Sequence, residues 1–152
     1  MQSAQESFIS STYWTERIGP AAALATIKKM QKYSVQSHLI DAGKKVQAGW
    51  KASASKHGLK IKTSGIYPLS HFDFEFAKPL VIKTLFTQLM LEKGFLASTI
   101  FYASYAHKQE HIDRYLKATD EALGKIAGFI EEGDPEKHLK GPVCHSGFKR
   151  LN

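Results

Sequence analysis

Four hydroxyl side chains, Ser10, Ser11, Thr12 and Thr15, stand just ahead of a Gly19-Pro20 pair. Proline is favoured in the first turn of a helix, where its missing N–H costs nothing. Hydroxyls beside the free amides of a helix N-terminus suit an anion such as phosphate. Capping of the helix by a Ser/Thr-rich loop explains the same residues, and on physics alone it is the favoured reading. His107 and His111 are four apart in His-Lys-Gln-Glu-His, a spacing that can set two imidazoles on one helix face for a metal. The run lacks the glutamate that zinc peptidases place directly after the first histidine, and no third ligand is evident, so a helix-start histidine pair is the better reading. Cys144-His145 could suggest a thiol and its base, but adjacent side chains rarely face each other usefully. No nucleophile elbow, Walker loop or dinucleotide-binding glycine motif is present.

These residues need elements to hold them. A stripe of Ala21, Ala22, Leu24, Ala25 and Ile27 predicts a helix from Ile18 to Met30. Val35, Leu39, Ala42, Val46, Trp50 and Ala54 recur in steps of three and four, one face of a second, long helix that Gly58 ends. The period then drops to two. Residues 59–64 alternate, as do 69–76, with Phe72, Phe74 and Phe76 on one face and a Gly/Pro loop between, which predicts a β-hairpin. Lys78-Pro79 opens a third helix that stops at Gly94, and residues 95–99 are expected as a third strand. The last helix is expected from about Lys108 to Glu132, with Ile112, Tyr115, Leu116, Thr119, Leu123, Ile126 and Ile130 inward. Beyond it, 133–152 carries no period, and Val143, Phe148 and Leu151 could pin it to the body. The predicted class is α+β: a three-stranded antiparallel sheet in order 2-1-3, covered by helices on one face. Some forty residues of helix precede the sheet, more than it can bury, which suggests a missing partner surface.

Composition agrees with a globular chain. Its 152 residues suffice for a core without disulfide or metal staples, with 43% hydrophobic and 23% charged residues. The longest apolar run is Ala21–Ala25, far short of the roughly 18 residues of a membrane span. The polar N-terminus has no signal-peptide pattern, Cys144 is the only cysteine, and the only asparagine is Asn152. A cytoplasmic location, with no membrane partner, is expected. The net charge of +7 comes from scattered lysines, with only three arginines in the chain. Nucleic-acid readers cluster basic residues and lean on arginine, so no nucleic-acid partner is expected.

The segment from Phe8 to Ala25 resembles the stretch after the cofactor lysine in class III pyridoxal-phosphate aminotransferases, especially the glutamate-1-semialdehyde 2,1-aminomutase-like branch. In that family a threonine five residues before the proline of the helix start binds the cofactor phosphate, usually across a dimer interface. Counting back from Pro20 lands on Thr15, and Thr12 and Ser11 could share the role. The likeness continues through Gly-Leu-Lys-Ile-Lys-Thr-Ser-Gly (58–65), Lys-Gly-Phe-Leu-Ala-Ser (93–98) and Ala-His-Lys-Gln-Glu-His-Ile-Asp (106–113), in the family's order.

What the resemblance implies is a C-terminal portion of such an enzyme. Residues 1–33 would be a phosphate-binding loop and helix belonging to the large domain, 34–132 the C-terminal small domain, and 133–152 an irregular tail. The cofactor would be pyridoxal 5'-phosphate, the partners a small-molecule amino donor, a carbonyl acceptor and a second subunit of a homodimer. The lysine and the acidic partner of the pyridinium nitrogen lie upstream in the family, and no lysine here sits in the matching context. Met1 resembles an internal methionine of the family, so no catalytic residue is assigned and the chain alone is expected to be inactive. Residues 95–106 contain no arginine to fork a substrate carboxylate, and Thr99 stands near the family's acidic aminomutase position. The second departure argues against the strict aminomutase and for a relative with another amino donor or acceptor. A stand-alone, non-catalytic domain that binds a partner protein through its amphipathic helices is the competing expectation.

Overall fold

A computed structural model describes Glu6 and residues 16–147. In chain order the elements are α1 (Ile18–Lys32), α2 (Val35–Lys56), β1 (Ile61–Ile66), β2 (Leu69–Phe74), α3 (Pro79–Glu92), β3 (Ile100–Tyr102), α4 (Gln109–Glu131) and a 3-10 turn, Pro135–His138. No described helix is long and apolar enough to cross a membrane. The chain divides into two units, residues 1–36 and 37–152.

In the first unit α1 buries none of its side chains, and Ile18, Leu24 and Ile27 are all more than half exposed. Its apolar stripe gives it a helical period, but among the described residues no α1 side chain is buried.

In the second unit the stripes do find a core. Val46, Trp50 and Ala54 of α2, Phe72 of β2, Ile82, Leu85 and Phe86 of α3, and Leu123 and Ile126 of α4 are almost wholly buried together. The Phe72 ring is the hub, lying 4.7 Å from Trp50, 5.2 Å from Phe74 and 5.4 Å from Phe86, in the tilted geometries that aromatic quadrupoles prefer. Glycines end two helices as expected: Gly58 (φ 67°) follows α2 and Gly94 (φ 80°) follows α3.

The hairpin forms, with Ile66 paired to Leu69 around a two-residue loop, Tyr67-Pro68. Period two then sends Ser70, Phe72 and Phe74 inward. Buried Ser70 is satisfied: its hydroxyl donates to the Tyr67 carbonyl at 2.9 Å and accepts from Gln47 Nε2 at 2.9 Å. The strand ends at Phe74, so Phe76 falls beyond the ladder and is partly exposed.

The sheet is three-stranded and antiparallel, within an α+β layer, but two expectations need correcting. Its order is 1-2-3, not 2-1-3, because β3 pairs with the free edge of β2: Leu69 opposes Tyr102 and His71 opposes Ile100. β2 carries the deepest-buried side chains of the sheet, whereas those of β1 are only half-buried or exposed, and the strand packed hardest against the helices is the one enclosed on both edges. The third strand is also later than expected. Residues 95–99 are irregular, holding to β2 by one bond from Phe72 N–H to the Thr99 carbonyl at 3.0 Å, and the ladder begins at Ile100.

The segment after α4 is not wholly irregular. It makes one 3-10 turn and is then tied to α3, where Thr84 Oγ1 accepts the Cys144 N–H at 3.0 Å. Val143 and Leu139 pack partly buried against the core, while Phe148 and Leu151 lie outside the described residues.

Candidate functional site

The hydroxyl loop comes first. Thr15, Thr12 and Ser11 lie outside the described residues. The helix after them is within the described residues: α1 starts at Ile18 with Gly19-Pro20 in its first turn, Arg17 in front makes no side-chain cap bond, and no acidic residue stands in that turn. Such an N-terminus keeps amides available to an acceptor.

The histidine pair is fully described. After β3 the chain makes a turn in which His107 N–H donates to the Ser104 carbonyl at 3.0 Å, while Ser104 N–H donates back to His107 Nδ1 at 3.0 Å. Lys108 then caps α4, and its N–H donates to His111 Nδ1 at 3.1 Å. Both imidazoles therefore accept backbone N–H groups at the helix start. A neutral imidazole that accepts at Nδ1 carries its proton on Nε2, so the outer edge of each ring is a donor, and that of His111 lies 3.7 Å from Glu110 Oε1. Burial, and then the nearby His111 and His38, holds the His107 pKa below the ordinary imidazole value. Among the described residues no group of three or more His, Cys, Asp and Glu side chains is placed to hold a metal.

His107 also borders two clefts. One, about 320 Å³, is walled by Phe95, Phe101, Ile112 and Tyr115, with Leu96, Ile100 and Tyr102 at its exposed rim and His107 and His111 as its polar members. No charged side chain lines it. The ring of Phe101 stacks on His107 (5.2 Å, 28°) and on Tyr115 (6.0 Å, 27°), which fixes the wall. Tyr115 is anchored in turn by the Trp50 indole N–H at 2.9 Å, and burial pushes its phenol pKa up, so it stays neutral.

The second cleft, about 250 Å³, shares His107 with the first and is polar, lined also by His38, Asp41, Lys45 and Gln109. Lys45 donates to Gln109 Oε1, and Gln109 Nε2 to Asp113 Oδ1 at 2.6 Å. His38 is the exception. Its ring meets Tyr105 edge-on at 5.0 Å, but its Nε2 is buried without a hydrogen-bond partner, a state that costs about 1–3 kcal/mol. His38 was not singled out by the sequence. It falls one residue off the apolar stripe of α2, and nothing in its neighbours marks it.

Neither cleft fits pyridoxal phosphate. The larger offers the phosphate no cation, and in the smaller the single lysine, Lys45, shares the lining with the carboxylate of Asp41, which repels a phosphate. Cys144 and His145 form no catalytic pair either: Cys144 is half-buried with its thiol toward the Leu80 carbonyl at 3.8 Å.

The fold nevertheless has a solved counterpart. The chain is similar to the PLP internal aldimine form of the Sphingopyxis sp. MTA144 FumI protein, with a TM-score of 0.75 and 23% identity, over 90% of this chain and 33% of that one. What the two share is the α+β fold, a three-stranded antiparallel sheet with helices. No family model matches the chain. Two curated relatives do. It is 28% identical over 125 residues to the 2'-deamino-2'-hydroxyneamine transaminase of Streptomyces kanamyceticus, covering 82% of this chain and 32% of the relative. It is 24% identical over 125 residues to the aminopentol aminotransferase of Sphingopyxis macrogoltabida, covering 81% and 30%. The chain is thus similar to part of two aminotransferases and shares its fold with part of a protein solved with pyridoxal phosphate, and it spans about a third of the length of the relatives it matches.

Proposed function

We propose that this chain supplies the small domain, and the phosphate-binding loop ahead of it, to a class III pyridoxal-phosphate aminotransferase acting between a small amine and a carbonyl compound. The observation that carries the reading is the shared α+β fold, at a TM-score of 0.75, together with two transaminase relatives aligned over about four-fifths of the chain. In this reading residues 1–33 belong with the large domain, 34–132 form the small domain, and 133–152 are the tail. Thr15, with Thr12 and Ser11, donates hydroxyl hydrogen bonds to the cofactor phosphate, and the amides at the start of α1 add to them. The phosphate is shared across a homodimer interface. When bound, the cofactor withdraws electrons from the amine's α-carbon; the lysine that anchors it would come from outside this chain, which alone is inactive.

A stand-alone domain binding a partner protein is the second reading. It is favoured by α1, whose Ile18, Leu24 and Ile27 are exposed.

The experiment is a cofactor titration of two proteins: the 152-residue chain, and the chain extended by its upstream reading frame. The extended protein is expected to take up pyridoxal 5'-phosphate with its visible absorbance and to lose affinity roughly tenfold or more on Thr15→Ala. An extended protein that binds no cofactor overturns the aminotransferase reading and leaves partner binding.

A further inference from the structure

We propose that the two clefts flanking His107 form one binding site for a small apolar molecule bearing an uncharged oxygen, an alcohol or a carbonyl compound. The hydrocarbon part lies in the cleft rimmed by Leu96, Ile100 and Tyr102, and the oxygen meets the imidazole nitrogens of His107 and His38.

Three observations carry this. The first is the rim: Leu96 is 97% exposed, Tyr102 69% and Ile100 47%, all around one concave, largely apolar space. Scattered exposed apolar residues need no explanation, but a set gathered on a cleft marks a place where apolar matter is taken up. The second is chemical. The Ser104 N–H occupies His107 Nδ1, so the remaining nitrogen is an N–H donor with no protein partner among the described residues. The third is the buried Nε2 of His38, unpartnered beside the second cleft, which His38 and His107 both line. A hydroxyl both donates and accepts, and a carbonyl accepts, so either satisfies nitrogens the protein leaves unused.

Charge selects among oxygen ligands. The apolar cleft presents no cation, and in the second cleft Lys45 shares the lining with the carboxylate of Asp41, so a ligand carboxylate would be desolvated with little net compensation. The size agrees, since about 320 Å³ is the lower end of small-molecule pockets. The site is independent of the pyridoxal reading, because none of its residues is assigned to the cofactor.

The test titrates 1-octanol, and separately octanoate, into the full 152-residue chain while following side-chain NMR signals. 1-Octanol is expected to shift the ring signals of His107 and His38 and the methyls of Leu96 and Ile100 saturably, with octanoate roughly tenfold weaker or more at about pH 7.5. His107→Asn keeps an acceptor for the Ser104 N–H but lacks the distal donor; it should weaken 1-octanol binding about tenfold. Leu96→Asp, at a fully exposed position that cannot disturb the core, should do likewise. Shifts that are linear or scattered over the surface overturn the proposal, as does octanoate binding as tightly as 1-octanol. Unchanged affinity in Leu96→Asp overturns it too, and that variant decides the matter if His107→Asn does not fold.

Discussion

The indole N–H of Trp50 donates to the phenol oxygen of Tyr115 at 2.9 Å, joining α2 to α4 inside the core. Both side chains are buried, Trp50 completely. The same Tyr115 ring stacks on Phe101, which stacks on His107. One hydrogen bond therefore ties the deepest packing of the second unit to the wall of its cleft.

Removing that phenol oxygen by Tyr115→Phe leaves a buried donor unpaired. The cost should be about 1–3 kcal/mol in urea unfolding. Trp50→Phe removes the donor as well as much of a core side chain, and the double variant should be less destabilised than the two single effects added together. Strict additivity would mean that the bond carries none of the stability.

Gly43 faces the hairpin loop so closely that a methyl group there would overlap the Tyr67 carbonyl oxygen, a backbone atom. Gly43→Ala is expected to cost on the order of 1–3 kcal/mol through forced displacement of α2 from the loop. A thermal midpoint equal to that of the parent would show that the loop yields without cost.

Acid should weaken the fold partly through His107. Its folded pKa is lowered by burial, so below about 6.5 the unfolded chain takes up a proton that the folded chain resists. Stability is then unaffected by this group above that pH and falls as pH drops from there towards the folded value. Urea midpoints measured from about pH 7.5 to 5 should fall less steeply in His107→Asn than in the parent, and equal slopes would remove the effect.

Asp120 should act in a lower range. Lys56 donates to one of its oxygens at 2.6 Å and His57 lies 3.0 Å from the other, which holds its carboxyl below the usual range. A depressed carboxylate contributes above its unfolded pKa and loses that contribution as pH falls through the folded one. Because the side chain is 30% exposed, Asp120→Asn should cost only about 0.5–1 kcal/mol at pH 7, and the difference from the parent should vanish near pH 2. A difference that persists there would point to packing instead of charge.

Much of this protein was legible as periodicity. Trp50 and Val46 lie on a helical stripe, Phe72 and Phe74 on a strand alternation, and Gly58 and Gly94 where chains must leave helices, because such patterns are local and burial selects them residue by residue. The aminotransferase resemblance was likewise carried by short runs in order along the chain. Strand order was not legible. Whether β3 joins β1 or β2 depends on which edge lies free once α3 has packed, and no residue of β3 encodes that by itself. The same holds for the clefts. His107 and His111 announced themselves by spacing, but the polarity of their outer edges depends on Ser104 and Lys108 amides placed by a turn. His38 became significant only when the fold set it, from a distant helix, in a cleft that His107 also lines. Sequence alone determined which faces must be buried and where the chain must turn; only tertiary packing, a sum of long-range contacts, decided which edges pair and which polar atoms are left without partners.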